Sequence, residues 1–140
     1  MKPVVQLDRT GCGIASAAAI AGISYGRAKA AAAALGISID DDRLWSDTAY
    51  VRQLLGQLGR RVDSVPRPFR SWDTLPGCAL LAIKWHRQGT RAAWHWVVYV
   101  REDGRRYVLD SKRALKSHVR RDFGRMRPKW YLAVMPRGSR

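Results

Sequence analysis

Acidic residues are scarce in this chain: 11 Asp and Glu stand against 26 Lys and Arg, a formal net charge of +15 at pH 7. Arginine dominates, with pairs at 60–61, 105–106 and 120–121. Such an excess describes a solvated basic surface, and the partners it suits are anionic: an acidic protein, a nucleic acid or an anionic surface. Cysteine is scarce as well. Two residues, Cys12 and Cys78, make no disulfide framework and fit a reducing compartment. No apolar run approaches a membrane span. The start, MKPVVQLDRTGC, has no apolar signal region. The expected location is therefore cytoplasmic, although specialised secretion would leave no visible mark. Zinc-type ligand clusters, zinc-finger spacing, RNA-binding aromatic signatures and a clear helix-turn-helix are all missing. No metal or cofactor is implied, and nucleic acid ranks behind protein as the expected partner. The three aspartates of DDDRLW (40–45) lack the alternation and closing glutamate of a calcium loop and read as a turn or helix start.

What is present is apolar material for a real core. Hydrophobic residues make up 46% of the 140 residues, which suits a single domain over 1–140. The chain is organised around Gln6–Ala19, QLDRTGCGIASAAA. Cys12 stands between Gly11 and Gly13, at the expected N-terminus of a buried, alanine-rich helix. Unpaired N–H groups and the positive end of the helix dipole favour a thiolate there, and the thiolate is the reactive species. The glycines permit a tight turn and a close substrate approach. Gln6 is placed to set its side-chain NH2 beside the Cys12 amide, making two donors for an oxyanion. A small buried cysteine in an alanine-rich helix explains this stretch alone equally well.

A thiolate nucleophile needs a base, and the base needs an orienting group. Of the three histidines, His95 lies in AAWHWVVYV, a run that reads as a buried strand. Asp110 ends RRYVLD, and Glu102, Asp103 and Gly104 between the two runs signal a hairpin. That hairpin brings His95 and Asp110 together on adjacent strands.

These residues resemble the papain-like peptidases that cut double-glycine leader peptides, the bacteriocin-processing family. In that family a glutamine is followed six residues later by a cysteine, then by glycine and an apolar helix. A histidine opening an apolar strand and an aspartate ending the next strand follow. Gln6, Cys12, His95 and Asp110 fall on those positions in the same order. The resemblance covers nearly the whole chain, and papain-like effector glutamine deamidases share the order. It implies a papain-like α+β fold with N-terminal helices packed on a C-terminal antiparallel sheet. It also implies a Cys-His-Asp triad working through a thioester. The chain departs from the family in having Ser111 where proline usually follows the aspartate, Trp94 before the histidine, and Thr10–Gly11 where an acidic residue usually precedes the cysteine.

The remaining elements follow from periodicity and punctuation. Helices are expected at 12–22, 25–35 (capped by Ser24, stopped by Gly36) and 48–58 (capped by Ser46 or Asp47). In the third, Tyr50, Val51, Leu54, Leu55 and Leu58 make the apolar face. Strands are expected at 60–65, 78–85, 92–100, 105–110 and 129–135, with a short helix within LKSHVRRDFGRM. The proline-rich segment 65–77 is either a connector packed by Phe69 and Trp72 or a wall of a substrate groove. Cys78 reads as structural, His86 as a solvent-facing fallback base, and His118 as a surface residue. Trp94 and Trp96 point away from the His95 face by strand alternation. The function expected is peptide-bond hydrolysis, with leader or precursor processing as the setting. The alternatives are a protein glutamine deamidase of the same fold and a non-enzymatic basic binding module for nucleic acid or acidic protein.

Overall fold

Three α-helices fill the first half of the chain and an antiparallel sheet the second. The structure, a computed structural model, describes residues 1–136. Helix α1 (Cys12–Ala21) is buried along nine residues, Cys12 through Ile20. Its run of alanines lets neighbouring elements approach closely on every side. The helix closes in a Schellman motif: Gly22 takes φ +73°, its N–H donates to Ala19 O, and the Ile23 N–H donates to Ala18 O. Helix α2 (Tyr25–Ala34) starts at Ser24, whose hydroxyl accepts from the Arg27 N–H. Asp41 and Asp47 act as local caps. The first accepts from the Arg43 N–H at the head of a short 3-10 helix (Asp42–Trp45); the second accepts from the Ala49 N–H at the start of α3 (Ala49–Gln57). The aspartate run is thus a helix start, as its pattern implies. Tyr50, Val51, Leu54 and Leu55 are the buried face of α3.

The sheet has strands β1 (Arg67–Pro68), β2 (Cys78–Gln88), β3 (Arg91–Glu102), β4 (Arg105–Leu109), β5 (Val119–Arg120) and β6 (Trp130–Ala133), in the spatial order β1-β6-β2-β3-β4-β5 with every pairing antiparallel. The β3–β4 hairpin closes through Asp103 (φ +53°) and Gly104 (φ +74°), the left-handed pair that a two-residue turn of this kind requires. Trp94, Trp96, Val98 and Val100 face the helices and share a core with Ile14, Ala18, Val51 and Leu54. The tryptophans form an edge-to-face trio with Trp130. Val97 and Tyr99 face the other way, onto Leu75 and Met126, with Phe69, Trp72 and Phe123 packed around them. Within segment 65–77, Arg67 and Pro68 form the edge strand β1, while Phe69, Trp72 and Leu75 pack over the outer face of the sheet.

Three elements differ from expectation. Residues 60–65 do not form a strand and make one isolated bridge, Val62 to Val134. Asp63 explains the interruption: its carboxylate accepts from the Val65 N–H (3.2 Å) and from Arg67 Nε (3.0 Å), a local turn that competes with a ladder. The segment 115–126 contains no helix. Val119 and Arg120 pair with β4 instead, because Arg120 is drawn between Asp110 and Asp122. Strand β2 runs on to Gln88, so His86 is an exposed strand residue and not the start of the turn.

Candidate active site

Strand β4 leaves β3 after Leu109 pairs with Val98. His95, three residues further along β3, thus stands at an edge that β4 does not cover, while Asp110 is the first residue past the end of β4. Helix α1 packs on β3. His95 and Asp110 meet: Nε2 lies 2.7 Å from Asp110 Oδ1. A carboxylate only accepts, so Nε2–H donates and Nδ1 is left available as a base, with the Cys12 side chain a neighbour of the imidazole. This is the tautomer that a thiol–imidazole pair needs.

Asp110 is 1% exposed and His95 15%. The buried carboxylate is well satisfied: besides His95, Oδ1 accepts from the Lys112 N–H (3.1 Å) and Oδ2 from Arg120 Nη1 (3.0 Å). The Asp110 backbone is tied in as well, its N–H donating to His118 O and its carbonyl accepting from His118 Nδ1. His118 is thus half-buried and supports the aspartate from behind. Burial works against the Asp110 charge, but His95, the Lys112 amide and Arg120 outweigh it and hold the carboxyl at about 2. Burial likewise works against a charged His95; the hydrogen bond to Asp110 and the neighbouring Cys12 side chain outweigh it and raise the imidazole to about 9. The surroundings of His95 therefore favour its charged form, the form that results when Nδ1 takes up a proton.

Cys12 itself is 1% exposed. Gly11 and Gly13 flank it for a reason different from the one expected. A Cβ at Gly11 would stand 2.2 Å from the Tyr25 hydroxyl, and one at Gly13 would stand 2.0 Å from the Tyr50 hydroxyl. The glycines make room for two tyrosines. Tyr25 donates to the Asp8 carboxylate (2.7 Å), which also holds Lys29 (3.1 Å), and the Gly11 N–H donates to Asp8 O (3.0 Å). Asp8 thereby fixes the turn into the nucleophile. From the other side Thr10 Oγ1 donates to Ile39 O, and Arg9 lies over the Trp45 ring (4.7 Å) while pairing with Asp42.

Gln6 is not the free donor that the sequence suggests. Its Nε2 donates to Asp8 O (3.0 Å) and Arg9 O (3.3 Å), and its Oε1 accepts from Ser111 Oγ (2.8 Å). Its backbone N–H donates to Ser111 O. Gln6 is an internal brace of the cysteine loop. Ser111, where the resembled family usually has proline, supplies a hydroxyl donor that proline lacks. The start of α1 has no side-chain cap: Gly11 precedes it and contributes none.

Arg120, Asp8, Tyr25 and Ser111 escape a sequence reading because no spacing motif marks them. Cys78 is not near this site. Burial pushes its thiol up to about 11, the behaviour of a structural cysteine. A cavity of about 220 Å³ lies against His95, walled by Trp45 and Trp94 with Lys84 and His86 at its rim. Among the described residues, no group of three or more His, Cys, Asp or Glu is placed to hold a metal ion. Nor is any helix there long and apolar enough to cross a membrane. No protein-family model matches the chain, and comparison with curated proteins and with solved structures gives no significant match.

Proposed function

We propose that the chain is a cysteine peptidase of papain-like architecture, with Cys12 as nucleophile, His95 as general base and acid, and Asp110 as the orienting carboxylate. The observation that carries this reading is the 2.7 Å His95 Nε2–Asp110 Oδ1 bond, which leaves Nδ1 available as the base in an imidazole whose other neighbour is the Cys12 side chain. The proton of Cys12 passes to Nδ1. The thiolate attacks the carbonyl carbon, forming the S–C bond, and the oxyanion is stabilised by the uncapped first-turn amides of α1, that of Cys12 foremost. Collapse breaks the C–N bond, and the Nδ1 proton goes to the leaving amine. Water, deprotonated by His95, then cleaves the thioester and restores the thiol. In this scheme Gln6 acts through the loop it braces.

The test is digestion of a proteome-derived peptide mixture, with new termini read by mass spectrometry. Cys12→Ala and His95→Ala are expected to lower cleavage by about 10³-fold or more while the fold persists. A Cys12→Ala protein that still cleaves overturns the mechanism. A second reading, glutamine deamidation, uses the same chemistry. The observation favouring it is the pocket of about 220 Å³ beside His95, which matches one side chain. In the same spectra it appears as glutamine converted to glutamate with no break in the chain.

A further inference from the structure

A second cavity, of about 470 Å³, is lined by Lys84, Trp85, Arg120, Arg125, Arg127 and Lys129 among others, and so reaches the Asp110 partner Arg120. Five of these six side chains are cationic, and no acidic residue lines the cavity. Arg120 is paired with Asp110 and Asp122. Among the described residues Lys84, Arg125, Arg127 and Lys129 make no ion pair, although acids elsewhere on this surface are paired repeatedly. Like charges gathered around one concavity repel each other and focus an anion-attracting potential into it.

The backbone supplies a second observation. Strand β2 carries a bulge where the register slips between Ile83, which pairs with His95, and His86, which pairs with Ala93. Lys84 sits in that bulge at φ +53°, a left-handed conformation that costs a lysine energy. Bulges of this kind re-aim side chains next to functional sites. Here the re-aimed lysine lines both the basic cavity and the smaller pocket that His95 lines. Arg120 joins the two regions from the other direction, since it lines the basic cavity and holds Asp110.

We infer that the cavity bounded by Lys84, Arg120, Arg125, Arg127 and Lys129 binds an acidic segment of the polypeptide substrate, seating it against the Cys12–His95–Asp110 site. The inference rests on the proposed acyl-transfer reading for its role but not for its binding. A peptide fits better than a nucleic acid. Non-specific binding of single strands relies on free aromatic faces for base stacking, and the one tryptophan of the cavity is already covered, with Lys129 at 4.8 Å and Arg87 at 5.9 Å from its ring. The links through Lys84, shared with the pocket that His95 lines, and through Arg120, bonded to Asp110, also suit a substrate extension more than a remote electrostatic anchor.

The experiment uses full-length Cys12→Ala protein and three fluorescein-labelled probes: hexaglutamate, hexaserine and a thymidylate hexamer, followed by anisotropy at low salt. Hexaglutamate is expected to bind, hexaserine not, and the thymidylate probe more weakly than hexaglutamate. Arg125→Glu/Arg127→Glu, two exposed positions outside the catalytic groups, should weaken hexaglutamate binding by about tenfold or more. With Cys12 intact, hexaglutamate should slow iodoacetamide alkylation of Cys12, and the double substitution should abolish that protection. Equal binding of hexaglutamate by the double variant, absence of binding, or absence of protection overturns the inference. A preference for the thymidylate probe overturns it in favour of nucleic acid. Each of these results is independent of turnover, so a protein that binds and is protected but cleaves nothing contradicts the peptidase reading and leaves the acidic-segment site standing.

Discussion

Asp110 accepts from a different side chain on each carboxylate oxygen: His95 Nε2, 2.7 Å from Oδ1, and Arg120 Nη1, 3.0 Å from Oδ2. The arrangement makes Arg120 a positioning residue for the triad. Its removal leaves Oδ2 buried without its charged partner and lets the Asp110 carboxyl rise from about 2 toward its ordinary value of 3.8. A depressed carboxyl contributes stability that is present above its unfolded value and is lost as pH falls through its folded value. Arg120→Ala should therefore unfold at a higher pH than wild type in an acid titration followed by tryptophan fluorescence, with Arg120→Lys between the two. Superimposable acid limbs would remove Arg120 from the site.

The imidazole predicts an opposite limb. His95 is raised from 6.5 to about 9 in the folded protein. A raised group contributes stability that is complete below pH 6.5 and disappears as pH climbs through 9. Urea unfolding of wild type and His95→Ala, compared at pH 6 and pH 9.5, should show a stability gap that shrinks at the higher pH. A gap that stays constant would mean that His95 is not charged in the folded state.

The flanking glycines offer a packing test. Gly13→Ala places a methyl group 2.0 Å from Tyr50 Oη, 2.7 Å from its Cζ and 2.9 Å from Val51 Cγ1, whereas Gly11→Ala meets chiefly the Tyr25 hydroxyl. Both substitutions should destabilise by about 1–3 kcal/mol. In a Tyr25→Phe background the cost of Gly11→Ala should fall substantially. In a Tyr50→Phe background the cost of Gly13→Ala should persist, because the ring carbon and Val51 still obstruct it. Chemical denaturation of the two double-mutant cycles measures both.

Gln6 separates bracing from direct oxyanion binding. Gln6→Glu keeps an acceptor for Ser111 but sets a carboxylate against the carbonyls of Asp8 and Arg9. Stability should fall by about 1–3 kcal/mol in Gln6→Glu, with a smaller loss in Gln6→Ala. A Gln6→Glu protein of wild-type stability that has lost only turnover would return Gln6 to the oxyanion hole.

Much of this was legible from the chain because local chemistry and fold agree. Gly22 and Ser24 punctuate α1 and α2 where their residue types indicate, and Asp103–Gly104 fixes the hairpin that brings His95 to Asp110. The pairing of those two residues follows from strand register, which a turn can specify. What was not legible depends on tertiary competition. Arg120 looks like one more arginine in a basic helix until Asp110 and Asp122 pull it into a strand. The expected strand at 60–65 yields to the Asp63 side chain. The bulge at Lys84 sits inside CALLAIKW, a run with no glycine to mark it. The apparent freedom of Gln6 disappears once Ser111, 105 residues away in sequence, comes into contact.

A thiol–imidazole pair between Cys12 and His95 is tested most directly by the rate of iodoacetamide alkylation at Cys12 against pH, in wild type and in His95→Ala. Both proteins should carry Cys78→Ser, and the modified site should be read by mass spectrometry. Rapid labelling well below pH 8 that is lost in His95→Ala is the expected result. Slow labelling with the pH profile of an ordinary thiol in both proteins would contradict it.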